Sequence, residues 1–385
     1  MKDFTDTLSK IEANTSLFKK NSLDNILVLF DEEIKLLGDC CVIFDKFRHL
    51  KTFFNAQYVD LNFTQWKNRR FVESLLFNNS YVNKIAYDNW EDINFEKYQM
   101  IIFVSYEEEK LIHFLHDKYR DQIKYGSWEI AITSVSTIIL KPLENESYVF
   151  PVNRALNDFV NLRRRTELYL TEREERWANE WLRAKGVEKA EELIIMVDSS
   201  AVKSKLLKVE TYFEILKGIL KRGKTKVLIF DERNTGKEDF YRDWLGKQAL
   251  EKIIFSKSLT LRQDLSLLGA AQVKMIFGPC SGLMHCASSI YNNYVIRGKK
   301  HQNDLRIIVY TGWYGNVSYN LNLWWGESPL VDCLVLKEYG DDRKIFTLIE
   351  LPVEERDIVN RLPCSAYTKD ILLDYLNNKL NFYTS

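Results

Sequence analysis

Short apolar runs and amphipathic stretches alternate from one end of the chain to the other. Ile26 to Phe30 (ILVLF), Met100 to Val104 (MIIFV), Leu193 to Val197 (LIIMV), Val227 to Phe230 (VLIF), Val273 to Phe277 (VKMIF) and Ile307 to Tyr310 (IIVY) read as buried strands. Apolar runs of this length suit a strand covered on both faces. Tyr58 to Phe63, Val82 to Tyr87, Ile253 to Phe255 and the segment ITSVSTIIL read as further strands. Between them, residues 39–54, Phe71 to Phe77, Glu107 to Tyr119, Val209 to Leu220, Lys237 to Trp244, Leu261 to Leu268 and Leu283 to Tyr291 follow a helical pattern. The alternation predicts parallel sheets with helices on both faces. Its appearance in two halves predicts twin Rossmann-like domains, an α/β fold.

Between the halves, 151–190 reads as a long charged helical region containing RRRTELYLTEREERWANEWLRAKG. The run Arg163, Arg164, Arg165 fits a solvated helix face or a face turned to an anionic partner. Thr368 to Leu380 predicts an amphipathic helix with Ile371, Leu372, Leu373, Tyr375 and Leu376 on its apolar side.

Composition narrows the functional classes. A chain of 385 residues is natural for two domains. Lys plus Arg equals Asp plus Glu at 54 each, so no global basic field exists to hold nucleic acid. No apolar run approaches a membrane-spanning length. The first twenty residues lack the apolar core of a signal peptide, so the expected location is the cytoplasm. The six cysteines (Cys40, Cys41, Cys280, Cys286, Cys333 and Cys364) form no CxxC pair, and buried reduced thiols are expected.

The densest candidate chemistry lies in VKMIFGPCSGLMHCASSIY, residues 273–291. An apolar strand meets a turn (Gly278, Pro279, Cys280, Ser281, Gly282), and a small-residue helix begins at Leu283. Free backbone N–H groups and the positive end of the helix dipole then converge on one point, which suits a phosphate. Gly282 leaves room for a diphosphate to approach, and His285, in the first turn, can add a donor. A plain strand-to-helix connection is the structural alternative. No G-x-G-x-x-G follows any strand, which argues against a dinucleotide oxidoreductase.

Four segments in order resemble one family. They are LLGDCCVIFDKFRHLKTFFNAQYVDLNF, NNSYVNKIAYDNWEDINFEKYQMIIFV, LYLTEREERWANEWLRAKGVEKAEELIIMVDSSAVKSKLLKVETYFEIL and LTLRQDLSLLGAAQVKMIFGPCSGLMHCASSIY. The chain resembles glycosyltransferase family 9, the heptosyltransferase-like enzymes of lipopolysaccharide biosynthesis. The resemblance implies a GT-B fold, two Rossmann-like domains facing across a cleft. It places an acceptor-binding domain at 1–165, a nucleotide-sugar-binding domain at 166–366, and a C-terminal helix at 367–385 packing back toward the first domain.

It also implies roles for particular residues. Asp39, in Leu37-Gly38-Asp39, matches the catalytic aspartate, the base that takes the acceptor hydroxyl's proton in an inverting transfer. An N-cap is the alternative for Asp39, and Asp31, Glu32 and Glu33 are rival carboxylates in a first loop longer than the family's. Lys205 matches the lysine that binds the donor diphosphate, where an ammonium suits growing negative charge; Lys203 and Lys208 are its neighbours. Ser199 and Ser200 are further phosphate-side candidates. Glu232 matches a ribose-binding glutamate, with Asp231 one residue away. Gly278, Ser281, Gly282 and His285 sit in the signature turn, but Cys280 departs from it, since the family usually carries Asp there.

The expected activity is transfer of a sugar from a nucleotide-sugar donor, with ADP-heptose one candidate, to a bacterial surface glycan or lipopolysaccharide-type glycolipid. No cofactor and no metal are expected. A peripheral contact with the inner membrane face would fit such an acceptor. The altered turn and first loop motivate a second expectation, a catalytically degenerate GT-B protein that binds nucleotide or glycan as a scaffold. Trp313, Trp324 and Trp325 could stack on a sugar or pack in the core.

Overall fold

The computed structural model describes residues 2–17, 22–104, 108–133, 154–163, 165–232, 234–313, 324–325, 328–340, 342–356 and 362–381. It divides into two compact units, Met1–Arg163 and Arg164–Ser385.

The first unit contains α1 (Lys2–Leu17), β1 (Asn25–Phe30), α2 (Leu37–Phe44), α3 (Lys46–Phe53), β2 (Tyr58–Phe63), α4 (Arg70–Leu75), β3 (Lys84–Ala86), β4 (Met100–Val104), α5 (Glu108–Lys124), β5 (Ala131–Thr133) and α6 (Arg154–Asn161). Its strands form a parallel sheet in the order β3-β2-β1-β4-β5. The apolar runs of β1 and β4 lie side by side at its centre, with Ile26 opposite Met100 and Phe30 opposite Val104. Residues 39–54 are two helices meeting at Asp45, whose backbone stays helical (φ −62°, ψ −26°). Asp45 is buried and accepts a bond from Arg48 Nε at 2.7 Å. Helix α1 has no counterpart in the strand–helix scheme read from the sequence. It packs on α5 and β5, and Thr15 Oγ1 accepts the N–H of Ile132 at 3.1 Å. The expected strand ITSVSTIIL appears as Ala131–Thr133, and the rest of it lies outside the described residues.

The second unit contains α7 (Glu172–Ala184), β6 (Glu192–Met196), α8 (Val209–Leu220), β7 (Thr225–Asp231), α9 (Lys237–Leu245), α10 (Lys247–Leu250), β8 (Ile253–Lys257), α11 (Leu261–Leu268), β9 (Val273–Pro279), α12 (Gly282–Ile296), β10 (Arg306–Thr311), β11 (Val331–Tyr339), β12 (Asp342–Thr347) and α13 (Lys369–Asn381). The sheet order is β12-β11-β10-β9-β6-β7-β8, parallel except for the antiparallel pair β11–β12. Ile194, Met196, Val227, Ile229, Met275 and Phe277 from the strands pack against Phe213, Leu216 and Ile219 of α8.

Within the described part of the long charged helical region expected over 151–190 lie two helices, α6 and α7, and residues 165–170 between them take no regular secondary structure. Thr171 starts α7 with a capping box: its hydroxyl accepts Glu174 N–H at 3.2 Å, and Glu174 Oε2 accepts Thr171 N–H at 2.8 Å. Of the arginine run, Arg163 lies over the Phe159 ring, 3.6 Å from its centroid, and Arg164 lies outside the described residues. The apolar side of α13 (Leu372, Leu373, Leu376) packs on α8 in its own unit. Among the described residues, no helix is long and apolar enough to cross a membrane.

Candidate active site

Parallel sheets bind ligands where two neighbouring strands send their connections in opposite directions. In the second unit that point lies between β6 and β9. The chain runs from β6 outward through β7 and β8, then returns to place β9 on the other side of β6. The loops leaving these two strands carry most of the residues singled out in the sequence.

The loop after β6 turns at once. Ser200 Oγ accepts the N–H of Val202 at 3.2 Å, and a short 3-10 turn, Lys203–Lys205, follows. Ser199 is exposed and Ser200 half-buried. Lys205 is half-buried, and its charge reaches His285 and Cys364. Lys203 and Lys208 are exposed.

The loop after β9 is shorter than the apolar run suggested. Gly278 and Pro279 belong to the strand, paired with Val309 and Tyr310 of β10, and only Cys280 and Ser281 separate it from α12. The helix starts at Gly282, one residue before the expected Leu283. Gly278 is required by packing: a Cβ there would lie 2.7 Å from Val197 Cβ and 3.1 Å from Met284 Sδ. Without a side chain, β9 closes on the end of β6. The first bond of the α12 ladder runs from His285 N–H to Ser281 O at 3.2 Å. The N–H groups of Gly282, Leu283 and Met284 therefore precede the ladder and face the helix's positive end. Ser281 is extended (φ −142°, ψ 167°), and its buried Oγ neither caps the helix nor finds another hydrogen-bond partner.

His285 is 5% exposed and stacks on Trp325, with centroids 4.0 Å apart. Burial, then the neighbouring Lys205 charge, pushes its pKa down to about 3, so near neutral pH it is an uncharged imidazole with one N–H to give. Trp325 is thus a packing residue, while Trp313, just past β10, is 43% exposed. Cys280 is buried beside Cys333 and Cys364, and burial pushes the Cys364 thiol up to about 12. None of the six cysteines is in a disulfide, and all are buried.

At the end of β7, Asp231 and Glu232 part company. Asp231 is buried, and its Oδ1 accepts the N–H and hydroxyl of Thr235 at 2.8 and 3.1 Å, closing the loop. Glu232 is half-buried one residue beyond the strand.

In the first unit the corresponding point lies between β1 and β4. The loop after β1 leads into α2, where Asp39 is the third residue, half-buried in the first turn. Leu36 holds the N-cap position, so Asp39 is not a cap. The Asp39 and Glu33 charges both bear on Cys40, whose thiol is pushed up first by burial and then by them. Glu33 Oε1 accepts the N–H of Asn68 at 3.0 Å, and Asp31 N–H donates to Val104 O at 3.2 Å. Glu32 is exposed.

No protein-family model and no curated protein matches the sequence. Solved structures do match. A glycosyl transferase family 9 protein from Veillonella parvula aligns over 94% of this chain and 98% of its own, with 13% identity and a TM-score of 0.58. The Escherichia coli ADP-heptose LPS heptosyltransferase II aligns over 94% of this chain and 100% of its own, with 14% identity and a TM-score of 0.55. The chain has the GT-B fold of glycosyltransferase family 9.

Within this GT-B chain, one set of residues escaped the sequence reading. Asp198, between β6 and Ser199, accepts a bond from Lys237 Nζ on Oδ1 at 2.6 Å and from Tyr241 OH on Oδ2 at 2.8 Å. Lys237 Nζ also donates to Phe230 O at 2.6 Å, and Tyr241 OH lies 2.7 Å from Tyr212 OH. Asp198 was visible as a carboxylate directly following a buried strand; its partner, 39 residues on, carried no local signal.

Proposed function

We propose that this protein is an inverting glycosyltransferase that moves a sugar from a nucleotide-sugar donor to a bacterial surface glycan or lipopolysaccharide-type acceptor. The observation that carries the reading is that the loop bearing Lys205 and the N-terminus of α12 follow the two neighbouring strands, β6 and β9, at the switch point of the second unit's sheet, in a chain with the GT-B fold. ADP-heptose is the first donor to test, because the E. coli protein named for it shares that fold.

In this reading the acceptor oxygen attacks the anomeric carbon as the bond from that carbon to the diphosphate oxygen breaks. Asp39 takes the acceptor's hydroxyl proton. Charge gathers on the departing diphosphate, where Lys205 and the N–H groups of Gly282, Leu283 and Met284 stabilise it more than in the ground state. Ser199, Ser200 and Ser281 offer further hydrogen bonds, His285 a neutral donor, and Glu232 an acceptor for ribose hydroxyls. The mechanism assigns to Lys205 the charge that a divalent cation carries in other transferases.

The buried thiol of Cys280, where the resemblance leads one to expect a carboxylate, favours the second reading, a nucleotide- or glycan-binding scaffold. One assay separates the two. Release of nucleoside diphosphate from ADP-heptose and from UDP-, GDP- and CDP-sugars is followed with purified protein, with and without EDTA. Asp39→Ala should lower turnover by roughly 10²–10⁴-fold, the usual contribution of a general base, and EDTA should leave it unchanged. Wild type and variant equally silent, with nucleotide still bound, would establish the scaffold. Activity abolished by EDTA would refute the lysine-based mechanism.

A further inference from the structure

The structure points to Lys237 as a positioning residue for the donor diphosphate: its ion pair with Asp198 cancels a negative charge at the mouth of the anion site and fixes the loop bearing Ser199, Ser200 and Lys205. This rests on the nucleotide-sugar reading above.

Asp198 immediately precedes Ser199, on the first residues past β6. A carboxylate there opposes a diphosphate unless it is neutralised. The Lys237 ammonium does so at 2.6 Å, with both side chains largely shielded (21% and 14% exposed), so the pair is little screened by solvent. The same ammonium binds Phe230 O at 2.6 Å. The end of β6 is thereby tied to the end of β7, the strand that leads to Glu232. Tyr241 and Tyr212 complete the chain of bonds and hold the second carboxylate oxygen.

Lys237 is also oddly placed for a helix. It is the first residue of α9, after Gly236 at φ 79°, where the dipole favours acids and disfavours a cation. Helix stability therefore does not explain it; Asp198 does.

The charge argument separates positioning from simple support of the fold. Lys237→Met keeps the stem and removes the charge, leaving Asp198 uncompensated. By calorimetry, ADP affinity should fall by about tenfold, the scale of one added charge near the site, while adenosine, which carries no phosphate, should bind as before. Asp198→Asn alone should bind ADP at least as tightly as wild type. Lys237→Met with Asp198→Asn should restore ADP affinity to within about twofold of wild type, because no net charge is then left over.

Loss of ADP and adenosine binding in equal proportion, or no restoration in the double variant, would overturn the proposal and leave Lys237 a purely structural residue. If wild type binds none of ADP, UDP, GDP and CDP, the nucleotide-sugar reading falls and takes this inference with it. If another of these binds in place of ADP, the same comparison is made with it and its nucleoside.

Discussion

A histidine packed against a tryptophan ring and beside a lysine cannot easily hold a proton, and His285 shows what that costs. Its pKa lies at about 3 in the folded protein, lowered first by burial and then by Lys205. The unfolded chain takes up a proton near the ordinary value of about 6.5. Stability from this residue is therefore complete above that value and is lost as pH falls toward 3. Between pH 7 and 5 the loss is about 2 kcal/mol. His49, also lowered chiefly by burial, acts in the same direction. We expect His285→Gln to flatten part of this slope in urea unfolding at pH 7 and pH 5. Identical slopes in variant and wild type would mean that the folded protein protonates His285 freely. The same residue shows how far single positions were legible. Its place in the first turn of α12 followed from the glycine-bounded turn before it, but its neutrality depends on Trp325 and Lys205, which are 40 and 80 residues distant in sequence and brought there by the fold. Asp198 and Lys237 stayed hidden for the same reason.

Elements were legible where local pattern and tertiary environment agree. The alternating run of β2, the buried run of β4 and the amphipathic run of α8 begin and end at the residues their patterns mark. The pattern failed where polar residues sit in regular structure. Helix α1 carries Phe4, Leu8, Ile11 and Thr15 at helical spacing, but among so many charges that no apolar stripe stands out. The β11–β12 pair carries Lys337, Glu338, Asp342, Arg343 and Lys344, at an edge of the sheet where charges are tolerated. Strand β9 runs two residues beyond its apolar stretch because Gly278 lets it close on Val197. That contact gives a prediction at this scale. Gly278→Ala must push β9 from β6 or displace Met284, and should destabilise the protein by about 1–3 kcal/mol. Gly223→Ala, where a Cβ would meet nothing within 4 Å, should stay within about 0.5 kcal/mol. Urea unfolding of both variants tests the contrast, and equal stability would show that the strands part without strain.

At the scale of the whole chain, each unit closes its own sheet and owns its own core. In the second, every member of the large core cluster, from Ile194 to Leu376, belongs to the unit Arg164–Ser385. Helix α13 matters here. Leu373 packs so closely on α8 that a Cβ at Gly218 would lie 2.7 Å from it. Helix α13 is thus one of the elements that cover the sheet of this unit. The unit also contains Lys205, the start of α12 and the Asp198–Lys237 pair. A segment with its own hydrophobic core can fold as a domain. We accordingly expect residues 164–385, produced alone, to melt cooperatively by circular dichroism. The fragment should bind the nucleoside diphosphate preferred by the full chain with affinity within about threefold, since binding energy follows the groups that touch the ligand. It should not transfer sugar, because Asp39 is absent. A fragment that folds but binds no nucleotide would mean that donor recognition needs residues of the first unit; one that does not fold would mean that the two cores are stable only as one chain.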